Sequence, residues 1–250
     1  MNISGNTILM AGGTSGIGLA LATRLHAAGN KVIVAGRRRD RLDRIAEEHP
    51  GIEVEQLDIT DPESIQALYE TVTGKHPELD VVVAMAGIMI AEPVLDPGSL
   101  EIAERTIATN VLGPIRLVHR FAPFLTGRPD AAILTVTSGL AYVPLAATPT
   151  YGATKAAIHS YTESLRAQLR DTTVQVIEVV PPLTRTSLWP GSENNERAMP
   201  LDEFADEVMS LLATRPDADQ ILVKRVERQR FAEADGTYGE VFAMQNGLAR

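Results

Sequence analysis

Tyr151 and Lys155, in the stretch Thr150-Tyr151-Gly152-Ala153-Thr154-Lys155, stand four residues apart. That is just over one helical turn, so both side chains project from one face of a helix. A phenol ionises at about pH 10 and exchanges protons poorly at neutral pH unless a nearby cation stabilises the phenolate. An ammonium one turn away supplies such a cation. Upstream, Ser138 ends the apolar run Thr135-Val136-Thr137-Ser138 and is followed by Gly139. In an open α/β sheet the C-terminal ends of strands are where ligands bind. A hydroxyl there can orient a carbonyl oxygen while Tyr151 delivers a proton to it. The chemistry implied is hydride transfer to a C=O group, or its reverse.

A hydride needs a carrier, and the N-terminal segment contains a place for one. Ala11-Gly12-Gly13-Thr14-Ser15-Gly16-Ile17-Gly18 lies between an apolar run and a segment of helical period. Glycines there allow a tight turn and let the backbone approach a pyrophosphate at a helix N-terminus. The expected contacts are Gly12, Thr14, Ser15, Gly16, Ile17 and Gly18. The next apolar run, Lys31-Val32-Ile33-Val34-Ala35, ends in Gly36-Arg37-Arg38-Arg39. An acidic residue at that point would bind ribose hydroxyls, whereas arginine complements a 2'-phosphate. Arg37 and Arg38 therefore predict NADP(H) in preference to NAD(H), with Arg39 and Arg41 read as solvated charges. Asp58, with Ile59 beside it, is expected at the adenine, because Asp61 ahead of Pro62 is the better helix cap. Ala86 and Gly87 are small where the chain must pass close to the cofactor.

Strands are expected at about 7–11, 31–35, 52–57, 80–84, 131–137, 173–180 and 220–223, alternating with helical segments. Several are apolar on both faces, as when helices cover both sides of a sheet. This pattern is that of a single doubly wound α/β domain over 1–250. Prolines in Pro144-Leu145-Ala146-Ala147-Thr148-Pro149 fix the start of the tyrosine helix. The proline-rich, polar segment 183–200 is expected to be structureless and to act as a mobile lid over a pocket.

Of the 250 residues, 44% are hydrophobic and 22% charged, with a net charge of -9. That balance argues for a globular chain with a filled core and against a broad nucleic-acid or anionic-membrane surface. There is no cysteine, which excludes disulfides and thiolate chemistry. The five histidines are scattered without ligand-like spacing, so no metal is expected. The first seven residues lack a basic start and a long apolar stretch, and the longest apolar run, 81–91, is too short to span a bilayer. A cytoplasmic protein with a small-molecule partner is expected.

Taken together, Gly12, Gly16, Gly18, Ser138, Tyr151 and Lys155 resemble the short-chain dehydrogenase/reductase family, single-domain branch, over roughly residues 5–224. The resemblance implies a Rossmann-type doubly wound, seven-stranded, mostly parallel sheet with helices on both faces. It assigns Asn110 to a relay water beside Lys155, and the backbone at Pro181 and Leu183, with Thr186, to the nicotinamide amide. It places substrate contacts at Ile88, Met89, Leu140, Tyr142, Leu145, Leu188 and Trp189, and sets Arg185 where it could meet an acidic substrate group. It also implies a homodimer or homotetramer built through the helices that begin near residues 99 and 150. Two departures stand out: Ala11 replaces the family's threonine, and Ala84-Met85 replaces its paired asparagines, which bears on cofactor affinity more than on reaction type. The implied activity is an NADP(H)-dependent oxidoreductase acting on a ketone, aldehyde or alcohol. The same residues could instead serve an epimerase or dehydratase, and a catalytically silent NADP-sensing protein would need the cofactor site without the proton relay. The tail 231–250 is expected either to close the site or to pack across a subunit boundary.

Overall fold

The computed structural model describes residues 1–248. Seven short runs pair into one parallel sheet: β1 (Thr7–Ala11), β2 (Lys31–Gly36), β3 (Ile52–Gln56), β4 (Val81–Ala84), β5 (Ala132–Val136), β6 (Gln175–Val180) and β7 (Gln220–Leu222). Their order is β3-β2-β1-β4-β5-β6-β7. The sequence positions all seven within two residues of these bounds. Because side chains alternate, Ile8 and Met10 enter one core while Leu9 and Ala11 enter the other. Helices α1 (Gly16–Ala27), α2 (Arg39–Glu48) and α7 (Leu201–Thr214) cover the first face with Leu21, Leu42 and Phe204. Helices α3 (Pro62–Lys75), α5 (Gly113–Leu125) and α6 (Pro149–Leu169) cover the second with Leu68, Phe121 and Leu165. Both faces are dry, which is why the strands read as continuous apolar runs.

The strand order reverses between β1 and β4, and in open α/β sheets it is beyond the C-terminal strand ends at such a reversal that ligands bind. The last rung there pairs Ala11 with Ala84. Helix α4 (Ser99–Ile107) runs into α5 through a π-helical turn at Ala108–Leu112. Pro114 has no N–H, so the carbonyl of Asn110 cannot receive the usual bond from four residues on, and the helix widens at that point.

The segment 183–200 departs from expectation. Its ends are joined by a bridge between Thr184 and Met199, with Arg185 N donating to Met199 O and Met199 N to Leu183 O, both at 2.9 Å. Inside, Ser192 Oγ donates to the Thr186 and Trp189 carbonyls at 2.6 and 2.7 Å. Backbone groups that proline cannot pair are satisfied locally, so the excursion is folded instead of structureless. In the tail, Ala232, beyond α8 (Glu227–Arg230), joins Val241 and Phe242 of α9 (Tyr238–Gln245) in a small apolar cluster with Val143. Residues 249–250, part of the tail considered in the sequence reading, lie outside the described residues. Among the described residues no helix is long and apolar enough to cross a membrane.

Candidate active site

The glycine turn fits a dinucleotide. Gly12 adopts φ +104°, and a Cβ there would lie 2.4 Å from the Ala86 nitrogen, so only glycine allows the β1 and β4 ends to close together. Backbone bonds from Met85 N and Ala86 N to Ala11 O hold this junction at 2.9 and 2.8 Å. Met85, in place of an asparagine, packs its side chain against the first core, so the junction rests on backbone bonds and apolar contact. Ser15, at the N-cap of α1, makes no capping bond, and the first turn of α1 carries no acid. Its N–H groups are left to an anion. Thr14 and Ile17 are half-buried in the same turn. Thr186 reaches it from the folded 183–200 segment: a Cβ on Gly16 would meet Thr186 Cγ2 at 3.3 Å.

At the end of β2, Arg37 and Arg38 are exposed, and among the described residues neither takes part in an ion pair, whereas Arg39 is paired with Asp43 at 2.8 Å. Burial, helped by the like charges of Arg41 and Arg37 and opposed by Asp40, pushes the Arg38 guanidinium down from its ordinary value. Asp61 does cap α3, accepting from Glu63 N at 2.9 Å. Asp58 is not left free by this: its Oδ1 accepts from Thr60 N and Thr60 Oγ1 at 2.9 and 2.7 Å. Partial burial pushes its carboxyl up, but the Thr60 bonds and the Arg37 charge hold it below the ordinary range. Ile59 faces the core, where a Cβ on Gly113 would meet its side chain at 2.7 Å, so only its backbone is left for a ligand.

Ser138, Tyr151, Lys155 and Asn110 converge, and all are buried. Ser138 caps a 3-10 turn at Gly139–Ala141, accepting from Leu140 N at 3.1 Å. Pro149 starts α6, placing Tyr151 in its first turn and Lys155 one turn on. Lys155 Nζ lies 5.6 Å from the Tyr151 ring centre and donates to Val136 O at 2.8 Å. Asn110 clasps the backbone of Ile88, accepting from its N and donating to its O, both at 2.9 Å. Gly87 sits between them: a Cβ there would be 3.4 Å from Asn110 Oδ1 and 3.7 Å from Lys155 Nζ. Beyond β6, Gly139 N donates to Pro181 O at 2.9 Å, which joins the serine turn to the 181–186 segment.

Burial dominates the electrostatics. It pushes the Tyr151 phenol up to about 12, and the Ser138 hydroxyl beside it pulls the other way. It pushes the Lys155 ammonium down to about 8. The Ser138 hydroxyl offsets the phenol's burial, and Lys155 Nζ stands beside the same ring.

Substrate candidates separate. Tyr142 turns away into a buried polar cluster, where Glu178, His159 and Gln220 surround its hydroxyl. Leu140 and Leu145 line an apolar hollow with Gly152, Ala153, Ala156 and Phe242, on a flank of α6 other than that of Tyr151 and Lys155. Met89 is buried and Ile88 is held by Asn110. Leu188 is exposed and Trp189 half-buried on the folded segment. Arg185 donates to Asn195 O at 3.2 Å, so part of its guanidinium holds its own loop. The sequence reading missed Glu178, which had a signal: a lone carboxylate inside the apolar strand Val174-Gln175-Val176-Ile177-Glu178-Val179-Val180 must be paired to be buried.

The sequence pattern of the short chain dehydrogenase family matches residues 6–197. An uncharacterized oxidoreductase, DltE, of Bacillus subtilis is 40% identical, with 98% of each chain covered. Solved structures of similar fold hold either nicotinamide dinucleotide. A short chain dehydrogenase of Burkholderia cenocepacia in complex with NADP superposes with a TM-score of 0.83 at 25% identity, covering 98% of this chain and 99% of that one. A 3-ketoacyl-(acyl-carrier-protein) reductase of Brucella melitensis complexed with NADH gives 0.76 at 23%, covering 86% and 93%. The chain belongs to the short-chain dehydrogenase family and is an oxidoreductase that uses a nicotinamide dinucleotide to interconvert CH–OH and C=O groups.

Proposed function

We propose that the chain is an NADP(H)-dependent reductase of a small ketone or aldehyde, with Tyr151 as general acid. The observation that carries the cofactor preference is the pair Arg37 and Arg38 at the end of β2, exposed and, among the described residues, without an ion-pair partner. Gly12, Thr14, Ser15, Gly16, Ile17 and Gly18 would hold the pyrophosphate, Arg37 and Arg38 the 2'-phosphate, Asp58 and the Ile59 backbone the adenine side. Ala86, Gly87, Pro181, Leu183 and Thr186 would frame the nicotinamide. Bound there, the reduced dinucleotide supplies the hydride.

The chain's own residues handle the proton. Ser138 orients the substrate oxygen, and Tyr151 passes its phenolic proton to that oxygen as negative charge develops. A phenol held up at about 12 is protonated at neutral pH, so the resting site is primed as an acid for reduction. Lys155, at about 8, is largely charged below that pH and offers a positive field to the tyrosinate left behind. Asn110, through the widened turn, holds the relay beside it. Leu188 and Trp189 on the 183–200 segment, a lid in this reading, and Met89 near Gly87 bound the substrate space. Leu100 and Ile107 on α4 and Leu112 in the π-helical turn are exposed, as is Ala157 on α6, and they support a homo-oligomer through this face. A cytoplasmic location goes with this reading, since the dinucleotide pool is intracellular.

The test is a paired titration of NADPH and NADH, followed by quenching of the single tryptophan, Trp189. NADPH is expected to bind more tightly by about tenfold or more, and Arg37→Ala to remove most of the difference. Equal affinity in the wild type overturns the phosphate-site assignment. NADPH binding with no turnover across a broad carbonyl panel favours the sensor reading instead.

A further inference from the structure

Glu178 is fully buried in β6, with 0% of its surface exposed, and the proposed proton relay makes no use of it. Four donors surround its carboxylate. Oε1 accepts from Thr137 Oγ1 at 2.6 Å and from the Tyr142 hydroxyl at 3.2 Å. Oε2 lies 2.9 Å from His159 Nδ1 and accepts from Gln220 Nε2 at 2.7 Å. Two donors on each oxygen suit an ionised carboxylate, which only accepts, and require the Nδ1–H form of His159. Arg230 stacks on the Tyr142 ring at 4.8 Å and donates to Gln220 Oε1 at 3.1 Å, which closes the shell.

A buried, fully bonded carboxylate is seldom worth more to stability than an apolar residue of the same volume. Its partners suggest another use. Thr137 immediately precedes Ser138 and Tyr142 follows it by four residues, so both ends of the serine turn hang on one oxygen. His159 follows Lys155 by four residues on α6, so the other oxygen holds the tyrosine helix. We infer that Glu178 is a positioning residue that fixes the Ser138 hydroxyl relative to Tyr151 by binding the serine turn and α6 to one rigid carboxylate. This rests on the proposed roles of Ser138 and Tyr151.

Glu178→Gln keeps the volume but turns an amide donor toward two of the four donors. It is expected to lower kcat for carbonyl reduction by about ten- to a hundredfold, the range that a small misplacement of reacting groups produces. The KM for NADPH should stay within about twofold, because the glycine turn and arginines are remote from the carboxylate. Since Ser138 is what draws the phenol downward, the Tyr151 phenolate should also form at higher pH. That is read without turnover from ultraviolet difference spectra against Tyr151→Phe. Thr137→Val removes one anchor of the turn and should give a smaller change of the same kind. A folded Glu178→Gln with wild-type kcat and an unmoved phenolate titration overturns the inference, as does equal loss of kcat and cofactor affinity. If Glu178→Gln does not fold, Thr137→Val decides by the same two readouts. If the wild type binds NADPH but turns over no carbonyl, the functional reading has failed, and the phenolate titration still tests the positioning.

Discussion

The two halves of the candidate site are built from different materials. On the β1–β2 side, the candidate cofactor cradle is made of backbone: Gly12 wedged against Ala86, an uncapped α1, and bonds from Met85 N and Ala86 N to Ala11 O. On the β5–β6 side, the candidate chemical groups rest on buried polar side chains: Thr135 against Thr162 at 2.8 Å, Lys155 on Val136 O, and Glu178 among four donors. A phosphate is a large anion that a ring of N–H groups satisfies, and tolerances there are loose. A proton transferred to one oxygen demands a phenol and a hydroxyl set to within a fraction of an ångström. The first task suits glycine and apolar strands, the second a cross-bonded interior.

If the division holds, variants on the two sides fail differently. Tyr151→Phe should have the largest effect, lowering kcat about a thousandfold, roughly 4 kcal/mol of barrier, with NADPH affinity unchanged by titration. Loss of cofactor binding in the same variant would erase the distinction. Gly12→Ala should do the reverse. A Cβ 2.4 Å from the Ala86 nitrogen at φ +104° forces the β1 and β4 ends apart at about 3 kcal/mol. Melting temperature and NADPH affinity should fall together, while kcat at saturating cofactor changes little.

Lys155 links the halves to pH. An ordinary lysine ionises near 10.5 and this one at about 8, so between those values the unfolded chain holds more protons than the folded one. Stability should therefore rise with pH across that window, and the cost of burying the charge is complete below about 8. Lys155→Met removes this linkage but leaves Val136 O without its donor. A net gain of about 1–2 kcal/mol at pH 7 is expected, with a flatter stability curve from pH 8 to 10 and no reductase activity. Thermal melts across pH check the first two. A variant that is less stable at pH 7 would mean that the ammonium is not strained.

The contrast also explains what the sequence disclosed. Parallel strands covered on both sides must be apolar throughout, so Val81-Val82-Val83 and its counterparts are legible one by one. Tyr151 and Lys155 are legible because four residues on a helix is a fixed geometry. Pro114, four residues after Asn110, could have announced the widened turn. Directions within 139–149 are not local properties. Tyr142 faces Glu178 and Leu145 lines a hollow closed by Phe242 because β6 and the tail are packed there, and neither is nearby in sequence. The segment 183–200 looked structureless because prolines suppress regular elements, yet its bridge from Thr184 to Met199 needs only two extended residues.

The smallest expected effect comes from the outer support of the loop between the serine turn and α6. Asn246, after α9, accepts from Ala146 N at 2.6 Å and donates to Pro144 O at 3.2 Å. Gln245 donates to Val143 O at 2.9 Å and accepts from Gln229 at 2.6 Å. These bonds hold residues 143–146, the stretch between the serine turn and α6, from outside, whereas Glu178 holds the turn from within. Asn246→Ala removes two bonds to that loop from a half-buried position, worth about 1 kcal/mol together, or a fall of about 2–4 °C in Tm. If the inner carboxylate alone sets the Ser138 hydroxyl, kcat should change by less than about threefold, because the turn keeps its anchors at Thr137 and Tyr142. A loss of kcat comparable to that of Glu178→Gln would instead make the tail part of the positioning apparatus, and the boundary between the side-chain-built site and its surroundings would have to be drawn as far out as α9.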